Sequence, residues 1–320
     1  MGAMARPQYL LATYSIVAFD FETGQLGVAV QTHQPGVGWI VPWLQPGVGA
    51  VATQASVNVS FGPLGLSLLR EGVTPDRVVA SLASSDEGAN RRQVGVVDCQ
   101  GRASAFTGSG CIAEAGHHSG EGFSVQANMM AKPTVVDAMA GAFAESSGDL
   151  AHRMLAGLEA AQFEEGDIRG MQSAALVVVP GSESSSDGVR SWERVYDLRV
   201  DESEEPLTEL SRLVAVRAAG LRDNDGHALL DAGDVDGALE VFREVREAAP
   251  DQEELAFWQA VALLEADAHG AETVMAELRR VLSEMELDRW IDLAERLRDC
   301  GMIERDETVE SIQAGLRHDR

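Results

Sequence analysis

The sequence is poor in several residues that would each indicate a particular class of protein. Lysine occurs once in 320 residues, as Lys132, and all other basic residues are arginines. Cysteine occurs three times, at Cys99, Cys111 and Cys300, without the paired spacing of a zinc site or the even count of a disulfide framework. Sparse, unpaired cysteines are typical of a reducing compartment, so we expect a cytoplasmic protein.

Long hydrophobic runs are also missing. A membrane helix needs about 18 consecutive apolar residues, and the most apolar stretch, 37–55, is interrupted by Pro42, Pro46 and several glycines. The first twelve residues lack the apolar segment of a secretory signal, and we interpret 1–12 as a leader or a cloning remnant. We therefore expect no membrane partner.

Positive charge is scarce, with 25 basic against 51 acidic residues and a net charge of −26. Binding a nucleic-acid backbone requires a basic surface, so we expect no nucleic-acid partner. Acidic excess with almost no lysine is typical of halophilic proteins, because at molar salt a Debye length of about 3 Å screens self-repulsion. A GC-rich genome also favours arginine over lysine, but it does not explain the acidic excess, and we favour the halophilic interpretation.

Composition changes near residue 181. Residues 1–180 contain 16 acidic and 9 basic residues, whereas residues 181–320 contain 35 and 16. The first part is rich in glycine and short apolar runs, and the part after about residue 207 has helical periodicity. We predict one domain at 13–205, a helical domain at 206–303, and a polar, frayed tail at 304–320.

The first 200 residues alternate between strand and helix signals. We predict strands at 13–19, 26–32 and 48–54, helices at 62–70 and 75–84, strands at 93–98, 102–107 and 122–127, helices at 133–146 and 149–163, and strands at 173–179 and 193–200. The polar segment 181–188 is interpreted as a hairpin tip. Strand triplets alternating with helix pairs predict an α+β fold with two stacked, mainly antiparallel sheets between helical layers.

The second part predicts an all-α domain. Helices are expected at 207–221, 223–232, 235–248, 252–265, 271–284 and 288–298. Ala238, Phe242 and Pro250 match the second helix of a tetratricopeptide (TPR) repeat, although Glu272 and Ala276, one period later, fit it weakly. We predict a TPR-like helical repeat domain.

Several segments carry a resemblance to a known family. They lie at 13–18, 27–30, 62–63, 93–98, 106–108, 115–117 and 120–126, with the longest being Pro46-Gly-Val-Gly-Ala-Val-Ala-Thr-Gln-Ala55 and Gly166-Asp-Ile-Arg-Gly-x-Gln-Ser-Ala-Ala-Leu176. In this order, over about residues 13–200, they resemble the DUF1028 family of N-terminal-nucleophile (Ntn) hydrolase-like proteins. The resemblance implies a four-layer αββα sandwich related to proteasome subunits and Ntn amidases, and it implies no particular substrate.

The resemblance also implies a nucleophile at Thr13, which begins the first strand. In Ntn hydrolases this side-chain oxygen attacks an amide carbonyl, and the α-amino group of the same residue, with a pKa of about 7.7–8.0, is the base. Relatives that begin Met-Thr expose the threonine by losing one residue. Here twelve residues precede Thr13, so the chain would have to be cut between Ala12 and Thr13. The alternative is an ordinary strand threonine.

An Ntn site also needs donors that stabilise the oxyanion. Asn128 follows a strand directly and is a candidate catalytic residue, although capping a turn is the commoner role of asparagine. Candidate substrate-binding residues on loops and strand ends are Thr53, Gln54, Ser60 and Gly108. Gln31 is neutral where proteasome subunits carry a charged orienting residue, which counts against proteasome-like catalysis.

Four further sets of residues each allow a functional and a structural interpretation. Lys132 is a third candidate catalytic residue, because a lysine pKa is readily tuned, although it also suits a solvated position before a helix. Asp167 and Arg169 suit either a substrate carboxylate or a structural ion pair. His117 and His118 are adjacent on a strand and cannot both face one metal ion, so we expect no metal and no cofactor. Cys111 is interpreted as a structural thiol.

Two functions therefore remain open. The first is an Ntn-type hydrolase (amidohydrolase) acting on the C–N bond of a small amide or peptide. The second is a catalytically inactive sandwich in a protein that binds a protein partner through its TPR-like helices. A homo-oligomer is compatible with both, and the N-terminal residue of the native protein discriminates between them.

Overall fold

The computed structural model describes residues 10–11, 13–181, 190 and 192–317. The chain divides into two compact units, one up to Val214 and one from Ala215. The boundary lies within a long helix, α5 (Pro206–Asp231). The first unit contains two β-sheets and the helices that cover them, and the second is built from helices.

The first sheet is organised around strand β5 (Gly49–Ser56). One edge of β5 pairs with β6 (Arg92–Asp98), which pairs in turn with β7 (Ala103–Thr107). The other edge of β5 pairs with β4 (Pro42–Gln45) and, at Ala55 and Ser56, with the short strand β1 (Leu10–Leu11). All of these pairs are antiparallel.

The second sheet contains six antiparallel strands in the order β11, β10, β3, β2, β9, β8. In chain order they are β2 (Thr13–Phe19), β3 (Leu26–Thr32), β8 (Gly116–Gly120), β9 (Phe123–Asn128), β10 (Ser173–Val179) and β11 (Tyr196–Val200). The chain therefore leaves the first sheet after Leu11 and enters the second at Thr13. This crossing places Thr13 at the end of a strand that faces the other sheet.

Helices cover the outer face of each sheet. Helices α1 (Phe61–Arg70) and α2 (Pro75–Ser84) pack on the first sheet, and α3 (Val135–Glu145) and α4 (Leu150–Phe163) pack on the second. A Cβ at Gly27 would lie 2.4 Å from Cε of Met154, so the glycine permits the close approach of α4 to β3. The prediction of an α+β fold with two antiparallel sheets between helices is confirmed.

Strand alternation divides the side chains between the two faces of each sheet. Val17, Val28 and Val30 of the second sheet meet Ala50 and Ala52 of the first in a fully buried apolar cluster. Full burial of a valine side chain contributes about 1.5–3 kcal/mol to stability, so this cluster is a major source of cohesion between the sheets.

Helix α4 begins at a well-defined N-cap. Asp149 accepts hydrogen bonds from the backbone N–H of His152 at 2.9 Å and from the Tyr196 hydroxyl at 2.6 Å. Burial alone would raise the pKa of Asp149, but the hydrogen bonds from His152 and Tyr196 outweigh it and lower the pKa to about 2. The carboxylate thereby connects the start of α4 to the edge strand β11.

The second unit continues from α5 through five further helices. They are α6 (Val235–Ala248), α7 (Glu253–Glu265), α8 (Ala271–Val281), α9 (Glu284–Asp299) and α10 (Asp306–Arg317). Phe242, Phe257 and Leu263 are among the fully buried residues of their shared core. The helical character predicted for this part is confirmed, and its identity as a TPR-like repeat stays a prediction.

Two predictions for the helical part are wrong. The helices expected at 207–221 and 223–232 form one helix, α5, because Asp223 continues the helix as a buried acceptor for Nε2 of Gln259 at 2.7 Å. The tail expected to fray forms α10, because Val309, Ile312 and Leu316 recur on one helical face and are buried.

Strands β1, β4 and β8 were not predicted. β4 contains Pro42, and β8 is made of glycine, histidine and serine, so neither has strong strand propensity. The predicted hairpin tip falls largely on residues 182–189, outside the described residues, although the strands on either side of it do pair. In the described part of the chain, every helix is too short or too polar to span a bilayer.

Candidate functional site

One end of the space between the sheets is filled with polar side chains. We call this group the polar cluster, and its members are Thr13 and Ser15 of β2, Gln54 of β5, Gln93 of β6, and Gln126 and Asn128 of β9. None of the six is more than 2% exposed. All six are uncharged, and they continue the face that carries the apolar cluster at the other end of the same strands.

Gln54 is the hub of the polar cluster and joins the two sheets. Its Oε1 accepts a hydrogen bond from the Ser15 hydroxyl at 2.6 Å. Its Nε2 lies 3.2 Å from the carbonyl oxygens of Thr13 and Gln126 and 2.7 Å from Oε1 of Gln93. Since a buried polar group without a partner costs about 1–3 kcal/mol, these contacts explain how a glutamine is tolerated there.

Gln93 extends the cluster towards the surface. Its Oε1 accepts from Nε2 of Gln54 and from Nδ2 of Asn128, the latter at 3.0 Å. Because the oxygen faces two amide donors, the Gln93 nitrogen must point the other way. That nitrogen donates to the Thr107 hydroxyl at 2.8 Å and to the Ala127 carbonyl at 2.9 Å. The amide orientation of Gln93 is therefore fixed from both ends.

Gln126 occupies space that only a glycine on the facing strand leaves free. Its Nε2 donates to the Ser15 hydroxyl at 2.6 Å. A Cβ built on Gly95, in the facing strand β6, would lie 2.1 Å from Oε1 of Gln126. The glycine at position 95 and the glutamine at position 126 thus form a complementary pair across the sheets.

Thr13 lies at the edge of the polar cluster and is fully buried. Its hydroxyl is 3.4 Å from that of Thr32, its register partner on β3. Its carbonyl oxygen accepts from Nδ2 of Asn128 at 3.4 Å as well as from Gln54. The structure therefore brings together three of the predicted residues: Thr13, Gln54 and Asn128. In the intact chain the Thr13 nitrogen is a peptide nitrogen and cannot act as a base.

Three predicted residues lie apart from Thr13. Thr53 precedes Gln54 on β5, so its side chain points to the opposite, helix-covered face, where its hydroxyl donates to the Asn58 carbonyl at 3.2 Å. Ser60 is exposed at the start of α1, and its hydroxyl donates to the Asn58 side chain at 2.6 Å. Lys132 is partly exposed and pairs with Glu165 at 2.8 Å, and the hydrogen bond that it donates to the Glu165 carboxylate raises the pKa of Lys132.

Asp167 and Arg169 form an ion pair with each other at 2.9 Å. The Asp167 side chain is fully buried and also accepts the backbone N–H of His33 at 3.1 Å. Its charge adds to burial in raising the pKa of Tyr14. These contacts favour the structural interpretation of the pair over the binding of a substrate carboxylate.

Gln31 faces away from Thr13. It pairs in register with Tyr14, whose hydroxyl donates to Gln162 of α4 at 3.0 Å, so both side chains lie on the helix-covered face of the second sheet. Both polar atoms of the Gln31 side chain are buried, and neither has a hydrogen-bond partner among the residues that the structure describes. Gln31 therefore does not orient the Thr13 hydroxyl.

A surface cavity of about 530 Å³ lies where the polar cluster reaches solvent. Its lining comes from the end of β7, the following loop and the start of β8, and consists of Thr107, Gly108, Ser109, Cys111, Ala113, Glu114, Ala115, Gly116 and His117. Gly108, predicted as a substrate-binding residue, belongs to this cavity. A Cβ there would lie 2.4 Å from the Ala89 carbonyl oxygen, so packing alone explains the glycine.

Two polar side chains meet in this cavity. The Thr107 hydroxyl lies 2.8 Å from Nδ1 of His117. Partial burial, and then the neighbouring His118, lower the pKa of His117, which favours the neutral imidazole. Burial raises the pKa of the Cys111 thiol, whose sulfur lies 3.4 Å from the Arg92 carbonyl oxygen, as expected for a structural cysteine.

Sequence reasoning missed Ser15, Gln93, Gln126, Thr107 and His117 as members of one network. A usable signal was present for Gln54, because the preceding inward positions of its strand are Ala50 and Ala52. Among the residues that the structure describes, no group of three or more His, Cys, Asp or Glu side chains is arranged to hold a metal ion.

The first unit is an αββα sandwich with a cluster of buried amide side chains between its sheets, and this fold defines its class of protein. A model of the family of unknown function DUF1028 matches residues 13–210, and the chain belongs to this family. A solved structure, that of protein SPO2555 from Silicibacter pomeroyi, also a DUF1028 protein, is 32% identical, with a TM-score of 0.56. The match covers 64% of this chain and 88% of that one. No curated protein matches the chain significantly.

Proposed function

We propose that this protein is an Ntn-type hydrolase that cleaves the C–N bond of a small amide or peptide, with Thr13 as its nucleophile. The observation that supports this most is the convergence of Thr32, Gln54 and Asn128, each from a different strand, within 3.4 Å of Thr13. At the other end of the same strands, the space between the sheets is filled by an apolar cluster that includes Val17, Val28 and Ala50. A buried polar side chain at the first residue of the first strand of the sandwich lowers stability unless its hydrogen bonds are satisfied, and its retention there is consistent with a function.

The proposed chemistry requires a cut between residues 12 and 13. The cut gives Thr13 a free α-amine, which accepts the proton as the side-chain oxygen attacks the substrate carbonyl. The protonated amine then donates this proton to the departing nitrogen, and water releases the acyl group. Gln54 and Asn128 are positioning residues, because they hold the Thr13 carbonyl and so fix the rotation of its backbone.

Strand β1 supports the view of the intact chain as a precursor. Leu11 and Leu10 pair with Ala55 and Ser56, directly after Gln54 on β5. A cut after residue 12 would separate this strand from Thr13 and allow it to leave the sheet edge. Cleavage would then both supply the base and open a route to the buried hydroxyl.

The test compares two forms of the protein. One is the full chain, and the other begins at Thr13 after removal of an initiator methionine. Amine release from a panel of small amides and dipeptides should be confined to the form that begins at Thr13. In that form Thr13→Ala should lower kcat/KM by roughly 10³-fold or more, whereas Thr13→Ser should keep measurable turnover.

Two controls make this test decisive. Hydrogen exchange in β2 and β9 should be the same in Thr13→Ala and the parent, which excludes unfolding as the cause. The mass of protein from its native host should correspond to a chain that begins at Thr13. Equal turnover in Thr13→Ala and the parent would refute the proposal.

A partner-binding function is the second candidate, supported by a cavity of about 500 Å³ in the helical unit. Leu264, Met275 and Ala276 supply apolar lining. Residues 181–320 carry 35 acidic and 16 basic residues, so a basic peptide is the complementary partner. Fluorescence anisotropy with basic and acidic peptides of one length tests this. Equal binding of both, or no loss of binding in Met275→Glu, would contradict it.

A further inference from the structure

We propose that Thr107 and His117 form a second nucleophilic site, which accepts an acyl group from small, uncharged or cationic esters. Thr107 is the last residue of β7 and His117 the second residue of β8, and both line the cavity of about 530 Å³. The site is reached from solvent in the intact chain. It needs neither the cut before Thr13 nor a free α-amine, so it does not rest on the function proposed above.

Hydrogen-bond direction assigns the roles of the two side chains. The Gln93 nitrogen can only donate, and it lies 2.8 Å from the Thr107 oxygen. The threonine hydrogen is therefore free for a second partner, and Nδ1 of His117 is 2.8 Å away. In the tautomer that leaves Nδ1 unprotonated, Thr107 donates to it, which is the arrangement of a hydroxyl nucleophile and its general base.

The buried amide of Gln93 distinguishes this pair from an ordinary threonine–histidine contact. Gln93 is fully buried, and its oxygen is held by Gln54 and Asn128, so its nitrogen cannot turn away from Thr107. A fixed donor on the attacking oxygen stabilises negative charge as the proton moves to the imidazole. A lowered pKa for His117, caused by partial burial and then by His118, keeps this base neutral at neutral pH.

The lining of the cavity sets the class of substrate. Its one carboxylate, Glu114, is not balanced by any lysine or arginine among the lining residues. The net charge of −26 also disfavours the approach of anions. The volume suits a small acyl donor rather than a folded partner.

The reaction balances without a cofactor. The Thr107 oxygen bonds to the acyl carbon, and its proton passes to Nδ1 of His117. The bond to the alcohol breaks, and the alcohol oxygen takes the proton from His117. Water then attacks the acyl-threonine, again losing its proton to His117, which returns it to Thr107 as the carboxylic acid departs.

The test uses the intact full chain, in which Thr13 has no free amine, with p-nitrophenyl acetate as the probe. All variants are made in a Lys132→Arg background, since Lys132 carries the only side-chain amine that would compete for the acetyl group. Rapid quenching and peptide mass spectrometry should locate the acetyl group on Thr107. Thr107→Val should abolish the adduct, and Thr107→Ser should restore it.

His117→Gln should slow acetylation by about 10²-fold or more, the usual contribution of a general base. His118→Gln, on the opposite side of the same strand, is the matched control and should change the rate by no more than about threefold. Circular dichroism should show that all variants are folded. An adduct on another residue, or an unchanged rate in His117→Gln, would overturn the proposal.

Discussion

Replacing Gln54 with leucine tests whether the polar cluster holds the two sheets together. Leucine is similar in length but removes all four hydrogen bonds of the Gln54 side chain, to Ser15, Thr13, Gln93 and Gln126. Two of these partners keep a donor, because Asn128 also reaches the Thr13 carbonyl and Oε1 of Gln93. The Ser15 hydroxyl loses its acceptor.

The magnitude follows from two opposing effects. Four hydrogen bonds at about 0.5–1.5 kcal/mol each amount to roughly 2–6 kcal/mol. Burial of the leucine side chain stabilises the folded state by about 1.5–3 kcal/mol. We therefore expect a net loss of about 2 kcal/mol, which is roughly a 30-fold increase in the opening equilibrium of the strands involved, since 1.4 kcal/mol corresponds to tenfold.

Hydrogen exchange measured by mass spectrometry is the appropriate assay, because it separates the sandwich from the helical unit. Peptides from β2, β5, β6 and β9 should exchange faster in Gln54→Leu, while peptides from α7 to α10 should not change. Gln100→Leu, at an exposed turn, is the matched control and should leave every peptide unchanged. Equal protection in Gln54→Leu and the parent would show that the cluster does not stabilise the sandwich.

Three further predictions use other measurements. Gly95→Ala should lower the free energy of unfolding in urea by about 1–3 kcal/mol, because its Cβ would meet Gln126 at 2.1 Å. Gly141→Ala, with open space around it in α3, should instead raise that energy by up to ~1 kcal/mol, and the opposite order would contradict both. Asp149→Ala should cost about 1 kcal/mol as a lost N-cap. The Asp149 pKa is lowered to about 2 from 3.8, so this difference should shrink as the pH falls from 4 towards 2. Asp149 also raises the pKa of His152, so the difference should shrink again as the pH rises and His152 loses its proton, and a constant difference would refute both statements. Because the net charge is −26, the melting temperature should rise from low to molar KCl, and a flat or falling curve would exclude the halophilic interpretation.

Much of the fold could be predicted because most strands are short apolar runs with strong β-propensity, buried on both faces between a helical layer and the other sheet. β2, β3 and β10 match their predicted ranges, and their runs of apolar residues are what predicted them as strands. β8 could not be found in this way, because Gly-His-His-Ser-Gly has little intrinsic preference and becomes a strand only by pairing with β9. The break predicted between 221 and 223 is wrong because Asp223 lies within α5 and bonds to a residue 36 positions away, which local sequence does not indicate.

Only part of the candidate site could be predicted from the sequence. Thr13 was predicted because the family resemblance implies a nucleophile at the start of the first strand, and Asn128 because it directly follows a predicted strand. The two are register partners in the structure. Thr53 and Gln54 could not be separated, since neighbouring residues on a strand face opposite sides and the inward side is set by the other sheet. Lys132 was selected because a lysine pKa is readily tuned, and that property of the residue type contains no information about its position in the fold.

The neutrality of the polar cluster limits what it can do. Amide groups can orient a hydroxyl and stabilise developing charge, but at neutral pH they cannot accept its proton. At one end, Thr13 has no such acceptor until its own nitrogen becomes an amine. At the other end, Thr107 already has His117 at 2.8 Å. If both proposals hold, the intact chain should accept acetyl groups at Thr107 without hydrolysing amides. Amide hydrolysis should then appear only after the cut, because the cut adds the one base that the cluster lacks.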